Sequence, residues 1–236
     1  MEKAMSGKPE RHLIWVPVIH TPEDLGTMSE SIRKLYQSRL GKGKWDRRVQ
    51  TVEAMWRRIR QEIEQLNLDY PKVRLYQDGL PQSGHEVDIV QDLARAGSEN
   101  YRLLLELMAK GAQLTGTESP ELLIEEYGLA RQILAALGSG KACAGADRQQ
   151  EVSKLLLDRR DRYIAERIGQ TLAVGETGLI FLGMLHSLEG RLSPDIPILR
   201  LGQVVLMDKE RKFNQNTGGP SSEQDKLATP SDPGHG

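Results

Sequence analysis

Two apolar runs, each closed by a histidine, bracket most of this chain. Leu13-Ile-Trp-Val-Pro-Val-Ile-His20 lies near the start and Gly178-Leu-Ile-Phe-Leu-Gly-Met-Leu-His186 near the end. Short unbroken apolar runs predict strands buried on both faces, as in a parallel sheet covered by helices. Each run would deliver its histidine where the strand emerges, the usual place for site residues in such sheets.

Between them the apolar period changes. Thr21-Pro-Glu-Asp24 has the form of a helix start, with a capping Thr, Pro at the first helical position and acids in the first turn. Met28, Ile32, Leu35 and Tyr36 carry that helix to a break at Gly41-Lys-Gly-Lys44. A second helix, Asp46 to Leu66, repeats the rhythm with Val49, Val52, Met55, Trp56, Ile59 and Ile63, so residues 22–68 form a helical hairpin insertion. After Tyr70-Pro71, the alternating Val73-Arg-Leu-Tyr76 predicts a short strand closed by Gln77-Asp78-Gly79. A long helix from Glu86 to Lys110 follows, weakened or divided at Gly97 and capped by Gly111. Ala112 to Glu118 is a further strand, again feeding a capped helix start at Ser119-Pro120-Glu121 that runs to Leu137.

Gly138 to Ala146 is a linker of small residues. Its Gly138-Ser-Gly-Lys141 lacks the spaced first glycine of a phosphate-binding loop and follows a helix, so it is set aside as a nucleotide site. Arg148 to Leu172 is a charged helix with a narrow apolar stripe, and it feeds the strand that ends at His186. Ile196-Pro-Ile-Leu-Arg200 and Val204-Val-Leu-Met207 predict short edge elements, with Pro197 unsuited to a central strand. Strands alternating with helices define an α/β fold: a central mixed, partly parallel sheet with flanking helices. The expected organisation is an N-terminal tail over 1–12, one domain over 13–211 and a disordered tail over 212–236, where Gly, Pro, Ser, Asn and Gln replace any apolar period.

Charge and composition narrow the function. Lys and Arg total 32 against 33 for Asp and Glu, so no global field draws the chain to nucleic acid. The basic cluster Arg39 to Arg48, with Arg57, Arg58 and Arg60, is interleaved with Glu53, Glu62 and Glu64 and reads as a solvated helix turn. Neither a signal-peptide core nor a membrane-length apolar run is present, and the one cysteine, Cys143, excludes an intramolecular disulfide framework and any Cys-rich metal site. These features predict a cytoplasmic protein with no nucleic-acid or membrane partner.

Four polar residues fall at or just beyond predicted strand ends: His20, Asp78, Glu118 and His186. If their strands are parallel neighbours, all four share one edge, and two imidazoles with one or two carboxylates make a ligand set for a divalent metal. Any single strand-end histidine is better explained by a hydrogen-bonded structural role. Arg160, in the arginine-rich Asp158-Arg-Arg-Asp-Arg-Tyr-Ile-Ala-Glu-Arg167, is a further candidate to hold an anionic intermediate or a carboxylate ligand through its planar fork. Most of that helix face, including Asp161 and Glu166, reads as solvated ion pairs.

The pairing of Arg160-Asp-Arg-Tyr-Ile-Ala-Glu-Arg-Ile168 with Leu179-Ile-Phe-Leu-Gly-Met-Leu-His-Ser-Leu-Glu-Gly190 resembles the C-terminal signature of the TraB/PrgY and TIKI family, an Arg helix followed by a strand ending Gly-x-x-His. That family carries a second Gly-x-x-His on its first strand. Here Val16-Pro-Val-Ile-His20 stands in its place, with Pro17 where the family has Gly. The resemblance spans about residues 13 to 190, with recognisable motifs only in the C-terminal third. It implies a metal-dependent hydrolase, with peptide bonds among its targets, in which His20, His186 and Glu118 hold or surround manganese, cobalt or zinc. Asp78 or Glu189 would position water and Arg160 would stabilise negative charge. Wider relatives of that family include esterases and haem-binding proteins, so the rival expectation is a non-catalytic binder of a peptide, haem or small molecule. A third reading is an interaction protein whose long charged helices support a homo-oligomer.

Overall fold

The computed structural model describes residues 11–19, 21, 24, 29–138 and 146–204. His20, most of residues 22–28, the linker 139–145 and the expected C-terminal tail lie outside the described residues.

Five strands form one sheet: β1 His12–Val18, β2 Val73–Gln77, β3 Gln113–Thr115, β4 Thr177–Gly183 and β5 Ile198–Arg200. Their order across the sheet is β3-β2-β4-β1-β5, and every pairing among them is parallel. The partly parallel sheet predicted from the alternation is therefore parallel throughout. Strand β4 is central, flanked by β1 and β2, so its apolar residues are covered on both faces; Leu179, Ile180, Phe181 and Leu182 are all fully buried. Strand β5 pairs with β1 alone at one edge, directly after Pro197.

Six longer α-helices flank the sheet among the described residues: α1 Ser29–Leu40, α2 Lys42–Gln65, α3 Glu86–Arg95, α4 Glu99–Ala109, α5 Pro120–Gly138 and α6 Ala146–Thr171. The hairpin of α1 and α2 turns at Gly41, whose φ of 77° suits only glycine without strain. Gly97 divides α3 from α4 with a φ of 105°, and the Ser98 hydroxyl caps α4 by accepting from the Tyr101 N–H. The alternation of β-strand side chains sorts the core into two layers. Ile14, Val16, Leu75, Leu179 and Phe181 pack against α2, α3 and α4 through Trp56, Val90, Leu104 and Leu107. Leu13, Trp15, Tyr76, Ile180 and Leu182 pack on the other face against Ile164 and Ile168 of α6 and Leu172 just beyond it.

Several predicted boundaries shift: α2 opens at Lys42 rather than Asp46, and β1 ends at Val18. Strand β4 ends at Gly183, and the chain turns there with the His186 N–H donating to the Gly183 carbonyl at 3.2 Å. Met184 and Leu185, expected in the buried run, are 68% and 85% exposed. Strand β3 is only three residues long, leaving Glu118 in the loop beyond it, bridged to Pro81. Leu201 to Val204 forms a helical turn, so Val204 does not open a strand; residues 205–207 lie outside the described residues.

That β3 loop is held by close backbone approach. A Cβ on Gly116 would sit 2.7 Å from the Gln82 Cα and 2.9 Å from the Pro81 carbonyl oxygen, neither of which can swing away. Gly128, in α5, has open space at the same position. Gly116→Ala is therefore expected to destabilise the fold by about 1–3 kcal/mol in chemical denaturation, whereas Gly128→Ala should be neutral or stabilising by up to about 1 kcal/mol.

Candidate functional site

Because all five strands run the same way, their carboxyl ends meet at one edge, and the segments following β2, β3 and β4 bring Asp78, Glu118 and His186 together there. Helix α6 crosses that edge and supplies Arg160 and Asp161. These five ionisable groups are between 0% and 7% exposed, deeper than charged residues normally sit.

Arg160 is the hub. Its Nε donates to Glu118 Oε2 at 2.6 Å, and its Nη2 reaches Glu118 Oε1 at 2.5 Å and Asp78 Oδ1 at 2.7 Å. Its Nη1 donates to Glu126 Oε1 on α5 at 2.5 Å. Backbone amides take the remaining carboxylate capacity: Gly79 N–H donates to Glu118 Oε1 at 2.8 Å and Gly183 N–H to Asp78 Oδ2 at 3.0 Å. The tight turns after β2 and β4 aim these amides inward. Burial raises the Glu118 carboxyl pKa, with Arg160 opposing that shift and Asp78 adding to it.

His186 lies between two aspartates. Its Nδ1 is 2.6 Å from Asp161 Oδ1 and its Nε2 is 3.3 Å from Asp78 Oδ2, while Asp161 Oδ2 accepts from the Ser187 N–H at 2.9 Å. Burial alone would lower the imidazole pKa, but the bonds to Asp161 and Asp78 outweigh it and hold the pKa at about 9. At neutral pH the group is an imidazolium, and it and the Arg160 guanidinium face the carboxyl groups of Asp78, Glu118 and Asp161.

Of the residues expected at the site, Asp78, Glu118, Arg160 and His186 converge, and His20 lies outside the described residues. Glu189 does not join them: its side chain is 74% exposed and its ion-pair partner is Arg200, at 3.9 Å. Asp161, read from the sequence as part of a solvated face, is buried against His186 instead. Its spacing of three and seven from Ile164 and Ile168, both fully buried, places it on the inner stripe of α6 and was the available signal. The neighbouring arginines do form outer ion pairs, Arg159 with Glu125 and Arg162 with Asp158.

For a metal, the donor chemistry fits in part. Two ligands of one tetrahedral ion at bonds of about 2.0–2.1 Å stand about 3.3 Å apart, the separation of His186 Nε2 and Asp78 Oδ2. The hydrogen bond of Asp161 to the other ring nitrogen is the usual support of a ligating imidazole. Glu118 is less suited to ligation, since both its oxygens are bound to Arg160. Among the described residues no group of three or more such side chains is arranged to hold an ion. No described helix is long and apolar enough to cross a membrane. Comparison with protein-family models, with curated proteins and with solved structures finds no match to this chain.

Two expectations follow. In chelator-treated protein the His186 imidazole should titrate near pH 9 by NMR, and Asp161→Asn should move the midpoint down by about one unit or more. A folded pKa above the ordinary 6.5 stabilises fully below pH 6.5 and ceases to do so as pH rises through about 9, a contribution on the order of 3 kcal/mol. Separately, Arg160→Met leaves Asp78 and Glu118 buried without their cation and should cost about 3–5 kcal/mol in denaturant unfolding.

Proposed function

We propose that this chain is a metal-dependent hydrolase, acting on peptide or related acyl bonds, with its reaction centre at His186 and Asp78. The observation that carries this reading is the imidazole fixed through Nδ1 by Asp161, with Nε2 turned to a carboxylate oxygen 3.3 Å away at the carboxyl edge of a parallel sheet. The sequence resemblance to the TraB/PrgY and TIKI family supports the same reading through His186 and Arg160.

His186 and Asp78 would hold the ion, with His20 the expected third ligand. A bound divalent cation supplies Lewis-acid polarisation and a water of lowered pKa. Asp161 keeps the ring proton on Nδ1, so that Nε2 presents its lone pair once the imidazole is neutral. Arg160 stays charged at any working pH and supplies a fixed cation beside Asp78 for negative charge that develops on the substrate. Among its partners Glu126 alone is substantially exposed, at 45%, so Nη1 is the donor that a substrate anion can reach by displacing it. Glu118 holds the opposite side of the guanidinium and keeps it aimed. The exposed Met184 and Leu185, next in chain to His186, offer an apolar flank for a substrate.

One observation favours the rival reading, a non-catalytic binding protein: the buried charges already satisfy one another, as they would in a purely structural cluster. Elemental analysis separates the two. Wild-type protein loaded with manganese, cobalt or zinc and then dialysed should retain the ion, and His186→Ala and Asp78→Asn should lose it while remaining folded. Since the ion must displace the imidazolium proton, its affinity should rise roughly tenfold per pH unit up to about pH 9. Well-folded wild-type protein that retains no ion after loading would sink the metal-dependent reading.

A further inference from the structure

We propose that the cavity between α2 and the α3–α4 turn is a binding site for an uncharged, medium-chain molecule with one carbonyl oxygen, which the indole N–H of Trp56 would hold. None of Asp78, Glu118, Arg160, Asp161 and His186 belongs to its lining, so the inference stands apart from the hydrolase reading.

The cavity measures about 390 Å³, within the range of small-molecule sites. One wall is a single stripe of α2. Trp45, Val49, Val52 and Trp56 recur at the spacing of one helix face, and together they run along about 16 Å of helix. The turn between α3 and α4 contributes Ala96 and Gly97, which have the least side chain to fill the space. Trp56 is the most deeply buried of the α2 stripe, at 1% exposed, whereas Val49 is 38% exposed and marks the open side. An elongated slot with one apolar wall suits a hydrocarbon chain.

The charged residues of the lining decide against a charged ligand. Arg102 is bonded to Glu99 at 2.5 Å, and Arg60 approaches the same carboxylate at 3.6 Å. Arg33 and Arg48 are engaged as well, so the cavity offers an anion no uncommitted guanidinium. A cation fares no better, since the lining sets these three arginines against two glutamates, Glu99 and the exposed Glu53. A ligand charge of either sign would have to break an existing pair or lie unpaired against tryptophan and valine, which is costly.

A second observation supplies the polar half of the ligand. The Trp56 indole N–H is buried and has no hydrogen-bond partner, and among the described residues Trp56 is the one lining residue of which this is true. Buried donors in native folds are nearly always paired, and indole can only donate, so its complement is an acceptor. A carbonyl oxygen meets that need without adding a proton of its own. A hydroxyl would bring a donor for which the apolar α2 wall holds no acceptor. Shape, charge balance and the single unpaired donor thus converge on one class of molecule.

Intrinsic fluorescence reads occupancy, because Trp45 and Trp56 line the cavity while the third tryptophan, Trp15, packs on the opposite face of the sheet with its indole bonded to the Leu182 carbonyl. Full-length, chelator-treated protein is titrated with octan-2-one, octanoate and octylammonium; removing metal keeps the result independent of the hydrolase reading. The expected result is a saturable change with octan-2-one, and binding roughly tenfold or more weaker for both charged chains. Trp56→Phe keeps the ring and removes the N–H, so it should weaken octan-2-one roughly fivefold, read through Trp45. Val49→Glu, at an exposed position, sets a carboxylate in the slot and should weaken the ketone roughly tenfold or more, with circular dichroism confirming both folds. No saturable change with octan-2-one overturns the site. Charged chains that bind as tightly overturn its uncharged ligand, and unchanged affinity in Trp56→Phe overturns the assigned donor. Unchanged affinity in Val49→Glu puts the ligand elsewhere and overturns the cavity assignment.

Discussion

A guanidinium that is 4% exposed and cannot give up its proton governs how this molecule is put together. Burying such a cation is tolerable only with carboxylates on several sides, and the fold supplies them from three places: Asp78 after β2, Glu118 after β3 and Glu126 on α5. None of these pairs could form unless α6 crosses the sheet at its carboxyl edge. The same placement puts Asp161, the next residue on α6, against His186, so the two halves of the cluster share one anchoring helix.

Backbone geometry does as much here as side-chain choice. The Gly183 and Gly79 amides donate to Asp78 Oδ2 and Glu118 Oε1 beside the ion pairs those oxygens make, and Asp161 takes the Ser187 amide in the same manner. Each of those amides lies in a turn that ends a parallel strand or follows one. A parallel sheet therefore provides both the convergence of the acids and the donors that hydrogen-bond them. The close approach of Gly116 to Pro81 and Gln82 belongs to the same arrangement, since it locks the β3 loop that carries Glu118 onto the β2 loop that carries Asp78.

The two faces of the sheet are unequal. The α6 face is a compact apolar layer that ends in the ionic cluster. The opposite face, covered by α2, α3 and α4, holds the larger core, every orphaned buried side-chain atom among the described residues, and a cavity bounded by the helical hairpin. A short strand order with its central strand inserted late, β4 between β2 and β1, brings both faces to one edge, so polar features of either layer can address the same centre.

Local pattern determined the elements. The apolar runs before Gly183 and Val18, the helical periods, the hairpin break at Gly41 and the division at Gly97 all follow from short-range constraints on burial and φ, and the structure has them. Pattern also singled out Asp78, Glu118 and His186, because strand ends in an α/β alternation are few and each carried a polar residue, while Arg160 was singled out by the arginine-rich helix that feeds the last of those strands. The tertiary structure alone decided how those four combine. Glu118 serves Arg160 through both oxygens, Asp161 is turned inward from a helix that reads as solvated, and Glu189 is left outside although it stands three residues from His186. Met184 and Leu185 make the same point from the apolar side, since a run of Leu, Met and Gly has the same period whether the chain stays in the sheet or leaves it at Gly183. The reason is physical: burial and periodicity are local properties of a chain, whereas the pairing of buried charges depends on which segments the sheet order brings within hydrogen-bond distance.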